Sequence, residues 1–465
     1  MRTLELFSAV LLVSMLLATM LVACGGEREM PGSPATSDED RSATREPTVE
    51  SPTGARPADA STSTGGPARR DGTAGRVEAT RTPAAPGARR EPESITLASV
   101  PTAALAPASA GGTGHGSRSE PYRPASLSAG EVDDNEQWED YLEYLAKYHG
   151  PAVHEVDVSE RYMITVRDGD GRPLPNTLVR VASGGATLFE GLTYANGQTL
   201  FFPRALPEAG NVESFQVSAE RNGVRQAGEF SRGKDADWPL VLDTAATPED
   251  GVPLDVLFLL DSTGSMADEI DRIKDTLLSI SARISDLPSQ PDLRFGMVSY
   301  RDRGDLYITR VFDFDSDPAQ FSDTIRNVRA DGGGDEPESL NEALHTALNA
   351  PDWRRADAVR LVFLLADAPP HLDYQDDFDY AVEMVEARKR GIKIFSVASS
   401  GLNDQGEYIF RQIAQNTMGR FIFLLYEGYG GGLGTPHDVD EYTVERLDDL
   451  VVRLITEELA VLSPG

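Results

Sequence analysis

The chain has 465 residues, with 75 acidic against 43 basic side chains and a formal net charge of −32 at pH 7. Such acidity excludes nucleic acid or an anionic membrane surface as the main partner, because both need a basic face. It suits a surface that binds cations or basic partners, or one that charge simply keeps soluble. The single cysteine, Cys24, rules out an intramolecular disulfide, so stability must come from core burial, with bound metal as the other available source.

Met1 and Arg2 precede an apolar run from Leu6 to Ala23, and small residues then lead to Cys24. Charge, apolar stretch and cut site are the plan of a secretory signal. About 18 apolar residues would also span a bilayer, so a transmembrane anchor is the alternative. "LVAC" (Leu21 to Cys24) followed by Gly25 resembles the lipobox of bacterial lipoproteins. That resemblance implies removal of residues 1–23, acylation of Cys24 with palmitate or a similar chain, and an extracytoplasmic site on the membrane or envelope.

Residues 24–130 are rich in Pro, Ala, Gly, Ser, Thr and Arg and poor in large apolar side chains. They cannot bury enough surface to offset chain entropy and read as a disordered tether. Within 131–150, Trp138, Tyr141, Leu142, Leu145 and Tyr148 recur at helical spacing, which predicts an amphipathic helix packed on the next domain rather than a sugar-stacking strip. Residues 151–245 switch to period two, with Asn196-Gly197 and Asn222-Gly223 as hairpin turns; this predicts a small antiparallel β-sandwich. "VRDGDGRPLPNTLVRV" with "TYANGQTLF" resembles prealbumin-like or carboxypeptidase-regulatory-like modules, which serve as spacers.

Residues 250–460 alternate strands with helices. "PLDVLFLLD" and "VRLVFLLAD" are unbroken apolar strands, as in a parallel sheet covered on both faces. The prediction is an α/β domain with a doubly wound, mostly parallel sheet and "VFDFDS" as a short edge strand. Ligands of such sheets gather at the carboxyl ends of the strands. Asp261 and Asp367 end two strands expected to be neighbours, Thr263 and Ser265 follow the first, and "DGGGDEPES" (Asp331 to Ser339) should reach the same end. Carboxylates and hydroxyls without cysteine are hard-oxygen chemistry, suited to Mg²⁺, Ca²⁺ or Mn²⁺ rather than Zn²⁺. The alternative is ordinary helix capping by Asp261 or Thr263.

"DSTGS", "DEPESLNEAL" and "VFLLADAPPH", in that order, resemble the loops of von Willebrand factor type A domains, whose metal-ion-dependent adhesion site (MIDAS) begins D-x-S-x-S. "SMADE" brings the resemblance closest to the I-like domains of integrin β subunits. The resemblance implies one divalent cation, Mg²⁺ foremost, held by Asp261, Thr263, Ser265, Glu338 and Asp367. Thr263, Ser265 and Glu338 would bind directly, and the two aspartates through water. It also implies a second metal set of Asp268, Glu269 and Asp335, the last matching a flanking ligand to which Asp302 could contribute. The function implied is a non-enzymatic, metal-dependent binding module, in adhesion or assembly, that captures an Asp or Glu of a partner protein. Metal-assisted hydrolysis and a purely structural metal are the alternatives. Arg303-Gly304-Asp305 reads as a chance tripeptide, His371 as a rim histidine, and "GYGGGLG" (Gly428 to Gly434) as a rim loop without the lysine of a phosphate-binding loop.

Overall fold

The computed structural model describes residues 127–244, 251–355, 357–425 and 442–462. The signal segment, Cys24, the tether up to residue 126 and the Gly428–Gly434 loop lie outside the described residues. Among those residues, no helix is long and apolar enough to cross a membrane.

The described chain opens with strand β1 (Ser128–Val132) and helix α1 (Trp138–Lys147). Seven short strands follow: β2 (Tyr162–Arg167), β3 (Leu178–Ser183), β4 (Ala186–Leu192), β5 (Gln198–Phe201), β6 (Ser214–Arg221), β7 (Val224–Ser231) and β8 (Asp237–Val241). They form a three-stranded sheet, β5-β2-β8, and a four-stranded sheet, β4-β3-β6-β7. Alternate residues of both sheets meet in one core around Trp238, Phe201 and Phe215, all fully buried. The pairing departs from the antiparallel expectation at one place, where β2 runs parallel to β8. The first and last strands of the unit are thereby neighbours, a closure that hairpin signals do not reveal. Helix α1 buries Tyr141 against Leu200 and Phe202 of this unit, as its apolar stripe predicts.

The second part contains β9 (Pro253–Asp261), α2 (Ala267–Ser285), β10 (Asp292–Tyr300), β11 (Thr309–Asp315), α3 (Pro318–Asn327), α4 (Leu340–Asn349), β12 (Val359–Ala366), α5 (Tyr380–Lys389), β13 (Ile392–Ala398), α6 (Asp404–Asn416), β14 (Phe421–Leu425), β15 (Thr443–Arg446) and α7 (Leu447–Ala460). The sheet order is β11-β10-β9-β12-β13-β14-β1-β15. Strands β10, β9, β12, β13 and β14 are parallel, and β11 is an antiparallel edge strand. Strand β9 shows why its sequence is unbroken. Leu254, Val256, Phe258 and Leu260 enter the core that also holds α2, α3 and α7, while Leu257 and Leu259 enter the core under α4, α5 and α6. A strand covered on both faces has no polar side, and each fully buried Leu or Phe contributes about 1.5–3 kcal/mol.

The strand β1 lies partly in the stretch read as tether and was not expected. It sits between β14 and β15, antiparallel to both. Gly130 permits this: a Cβ there would lie 2.5 Å from the Phe423 ring. Glu131 accepts from Arg453 at 2.6 Å, and buried Asp134 accepts from Arg411 at 2.6 Å. Strand β1 precedes β2–β8 in the chain yet belongs to the larger sheet, so the seven-stranded unit interrupts the α/β fold instead of merely preceding it.

Candidate metal centre

Three loops meet at the carboxyl ends of β9 and β12. These strands are parallel neighbours, as expected, which sets Asp261 and Asp367 side by side at the top of the sheet. The first loop turns at Ser262–Met266. Thr263 donates to Asp261 Oδ1 from its backbone N (2.9 Å) and its Oγ1 (2.8 Å). Thr263 Oγ1 is 3.1 Å from Ser265 Oγ, and Ser265 Oγ donates to Asp367 Oδ1 at 3.1 Å. The five expected residues are thus linked in a chain of oxygens, except Glu338, which arrives from the second loop.

Backbone bonds hold that loop in place. Gly264 N donates to Gly332 O (3.0 Å), and Asp331 N to Ser262 O (3.1 Å), tying it to the first loop. Glu338 N donates to Pro369 O (3.0 Å), and His371 N to Glu338 O (3.1 Å), tying it to the third. Gly333 has a φ of +63°, and a Cβ there would stand 2.7 Å from Glu338 Oε1 and 2.9 Å from Thr263 Cβ. Only glycine fits both the left-handed backbone and the space.

Asp261, Thr263, Glu338 and Asp367 are buried, whereas Ser265 is exposed and opens the cluster to solvent. Asp261 Oδ2 and Glu338 Oε2 are buried without a hydrogen-bond partner. Burial, then the charge of Asp367, pushes the Asp261 carboxyl up to about 7. Burial, then Asp261 and other acids, pushes Glu338 up to about 9, and burial pushes Asp367 up to about 6. No cationic side chain is among the causes acting on these three groups, so the cluster holds acids that cost free energy to ionise. A divalent cation would reverse that cost, and an all-oxygen donor set of two hydroxyls and few carboxylates fits a hard ion. Among the described residues, no three Asp, Glu, His or Cys side chains form a ligand set by themselves. An ion held here would therefore need the hydroxyls of Thr263 and Ser265 as well. The pure capping alternative leaves the two orphaned oxygens unexplained.

The proposed second set is not gathered. Asp268 is exposed on the first turn of α2, and Asp335 is exposed on the second loop. Glu269 is buried and turns to Ser400, whose hydroxyl and backbone N both donate to its Oε1. The family resemblance placed these three together; here Glu269 turns inward while Asp268 and Asp335 face solvent.

Other residues lie beside the centre that sequence reasoning assigned loosely or not at all. Ser339 Oγ donates to Asp302 Oδ1 (2.9 Å), and Asp305 Oδ2 accepts from Gly333 N (2.9 Å) and Asp302 N (3.2 Å). Asp305 thus braces the glycine loop. Arg303 donates to Glu342 (2.7 Å) and Asp377 (3.0 Å). Both charged ends of the Arg303-Gly304-Asp305 tripeptide are engaged within the fold, in keeping with a chance match. His371 is buried rather than at the rim. Its Nδ1 is 2.7 Å from Asp373 Oδ1 and its Nε2 3.1 Å from the Tyr374 hydroxyl, so both nitrogens are already committed. The signal that could have found Asp302 is its position just after the end of β10, the strand beside β9.

Residues 255–427 match the family model for the von Willebrand factor type A domain. This stretch is a von Willebrand factor type A (VWA) domain. The chain is similar to the alpha-protein kinase vwkA of Dictyostelium discoideum, 32% identical over 120 residues, covering 25% of this chain and 19% of that protein. It is similar also to von Willebrand factor A domain-containing protein 7 of Homo sapiens, 32% identical over 140 residues, covering 30% of this chain and 14% of the other. The chain therefore spans less than a fifth of the length of either relative. Among solved structures, proximal thread matrix protein 1 from the mussel byssus, with a zinc-occupied MIDAS motif, superposes with a TM-score of 0.33 at 15% identity, over 48% of this chain and 54% of that one.

Proposed function

We propose that the VWA domain is a divalent-metal-dependent protein-binding module, serving adhesion or assembly, and that it is held at a bacterial cell envelope through a lipid on Cys24. The observation that carries this reading is the pair of buried, unpartnered oxygens, Asp261 Oδ2 and Glu338 Oε2, in a cluster of hydroxyls and acids. Thr263, Ser265 and Glu338 would hold the ion, Mg²⁺ first and Ca²⁺ or Mn²⁺ next, with Asp261 and Asp367 a shell further out. The ion supplies a strong directional contact for one more anion. Exposed Ser265 marks the side from which an Asp or Glu of a partner protein would enter. The acidic surface around it disfavours binding of a free anion that makes no other contact.

The test is capture of envelope and cell-surface proteins by the immobilised chain, with Mg²⁺, with EDTA, and with Asp261→Asn. A partner retained with Mg²⁺ and released by EDTA and by the variant supports the reading. Identical retention in all three arms refutes it.

A further inference from the structure

At the opposite end of the sheet, where the strands begin, lies a cavity of about 490 Å³. Its walls come from the turn after α4, the start of β12, the C-terminal end of α5, and Leu192 at the end of β4. Five cationic side chains line it, Arg354, Arg355, Arg360, Lys389 and Arg390, against two carboxylates, Asp352 and Glu386. In a chain of net charge −32 this local excess of three positive charges runs against the whole.

Two of the five cations are neutralised. Arg354 pairs with Asp255 at 3.0 Å and Asp292 at 2.8 Å, and Lys389 lies 3.6 Å from Glu386. Arg355, Arg360 and Arg390 have no carboxylate partner among the described residues. Arg360 is buried and held in place: its Nε donates to Arg354 O (2.6 Å) and its Nη1 to Asn176 Oδ1 (2.7 Å), while Nη2 finds no partner. Burial brings Arg360 down to about 10 against the opposing pull of Asp255, with the Arg390 charge adding to the fall, and burial likewise lowers Arg390 against Glu386. Three guanidinium groups around one cavity, none of them bonded to a carboxylate, repel each other, and Arg360 and Arg390 also lose hydration, a cost that a bound anion would offset.

We propose that this cavity binds a small, multiply charged phosphate-bearing molecule. Guanidinium forks match phosphate oxygens in geometry, and the excess of three charges calls for a polyanion rather than a single carboxylate. The volume falls in the range of small-molecule sites and exceeds what one inorganic phosphate would fill. The length of β9 separates the cavity from the metal centre, so the two can be tested independently.

The test is calorimetric titration of pyrophosphate into the purified chain in EDTA, with acetate at matched ionic strength as the monoanion control. Saturable binding of pyrophosphate, at least tenfold weaker in the double variant Arg355→Gln/Arg390→Gln and absent with acetate, supports the proposal. Arg355→Gln alone, at an exposed position with no role in the core, should weaken binding about threefold. It serves if the double variant does not fold. Absence of saturable binding, equal affinity in wild type and variants, or acetate binding as tight as pyrophosphate overturns it.

Discussion

Replacing Asp261 with asparagine isolates the electrostatic cost of the centre. The amide keeps an oxygen for the two bonds from Thr263 and removes the charge from a fully buried position. Burial, then Asp367, raises the Asp261 carboxyl from 3.8 to about 7. A raised carboxyl binds its proton more tightly in the folded chain, so its stabilising contribution is complete below pH 4 and is lost as pH rises through about 7. At about 1.4 kcal/mol per pH unit, the full loss is on the order of 4 kcal/mol. An unpartnered amide nitrogen at the Oδ2 position costs about 1–3 kcal/mol in return. In EDTA at pH 8 the variant should therefore be more stable than wild type by roughly 1–3 kcal/mol, and at pH 4 equal or less stable. With Mg²⁺ that advantage should vanish or reverse, because only wild type gains the binding term, about 3 kcal/mol at a hundredfold excess over Kd. Urea denaturation from pH 4 to 9, with and without Mg²⁺, reads both effects. A metal-free wild type whose stability does not fall between pH 5 and 8, or a variant that gains as much from Mg²⁺ as wild type, would refute the reasoning.

Glu338→Gln should lower Mg²⁺ affinity at least tenfold in calorimetry while leaving the secondary structure unchanged. Gly333→Ala meets both a φ of +63° and a contact of 2.7 Å to Glu338 Oε1; it should cost about 1–3 kcal/mol in urea and weaken the metal response, and wild-type behaviour would show that the loop relaxes freely. Limited proteolysis should trim the N-terminal stretch but spare β1, giving a resistant fragment that starts at or before Leu127; a stable fragment starting beyond residue 134 would contradict the place of β1 in the sheet. Cys24→Ser should abolish fatty-acid labelling and membrane fractionation, and persistent labelling would end the lipoprotein reading.

The α/β core was legible because its strands are buried on both faces. "PLDVLFLLD" has no polar side to conceal the signal, and the acid that ends it stands out against that background. The same logic placed Thr263, Ser265, Asp367 and the loop from Asp331 to Ser339 at one end of the sheet, and the family resemblance singled out Glu338 within that loop. What escaped is what sequence neighbours do not encode. "SAGEV" contains one β-branched residue and a glycine, and becomes a strand only because Phe423 and Tyr442 close over Gly130. The parallel pairing of β2 with β8 joins segments about 70 residues apart, and no turn between them announces it. Glu269 looked like a ligand beside Asp268, but consecutive helical positions point about 100° apart, and one turned inward to Ser400. Asp305 was discounted with its tripeptide, although it is the group that braces Gly333.

The location of β1 bears on how the protein is made. Synthesis delivers this strand first and its two neighbours, β14 and β15, last, with about 300 residues between β1 and β14. The seven-stranded unit, β2 to β8, is self-contained and can close while the rest of the chain is still emerging. The larger sheet can assemble from β10 through β14, yet β1 must wait with its backbone donors and acceptors unpaired on both edges. Until it docks, β14 also presents a bare edge, the kind of surface on which partly folded chains join one another. Maturation should therefore be governed by a late docking step that no early-folding element can accelerate. Substitutions in β1 would lower yield by prolonging that interval, even where the finished protein tolerates them.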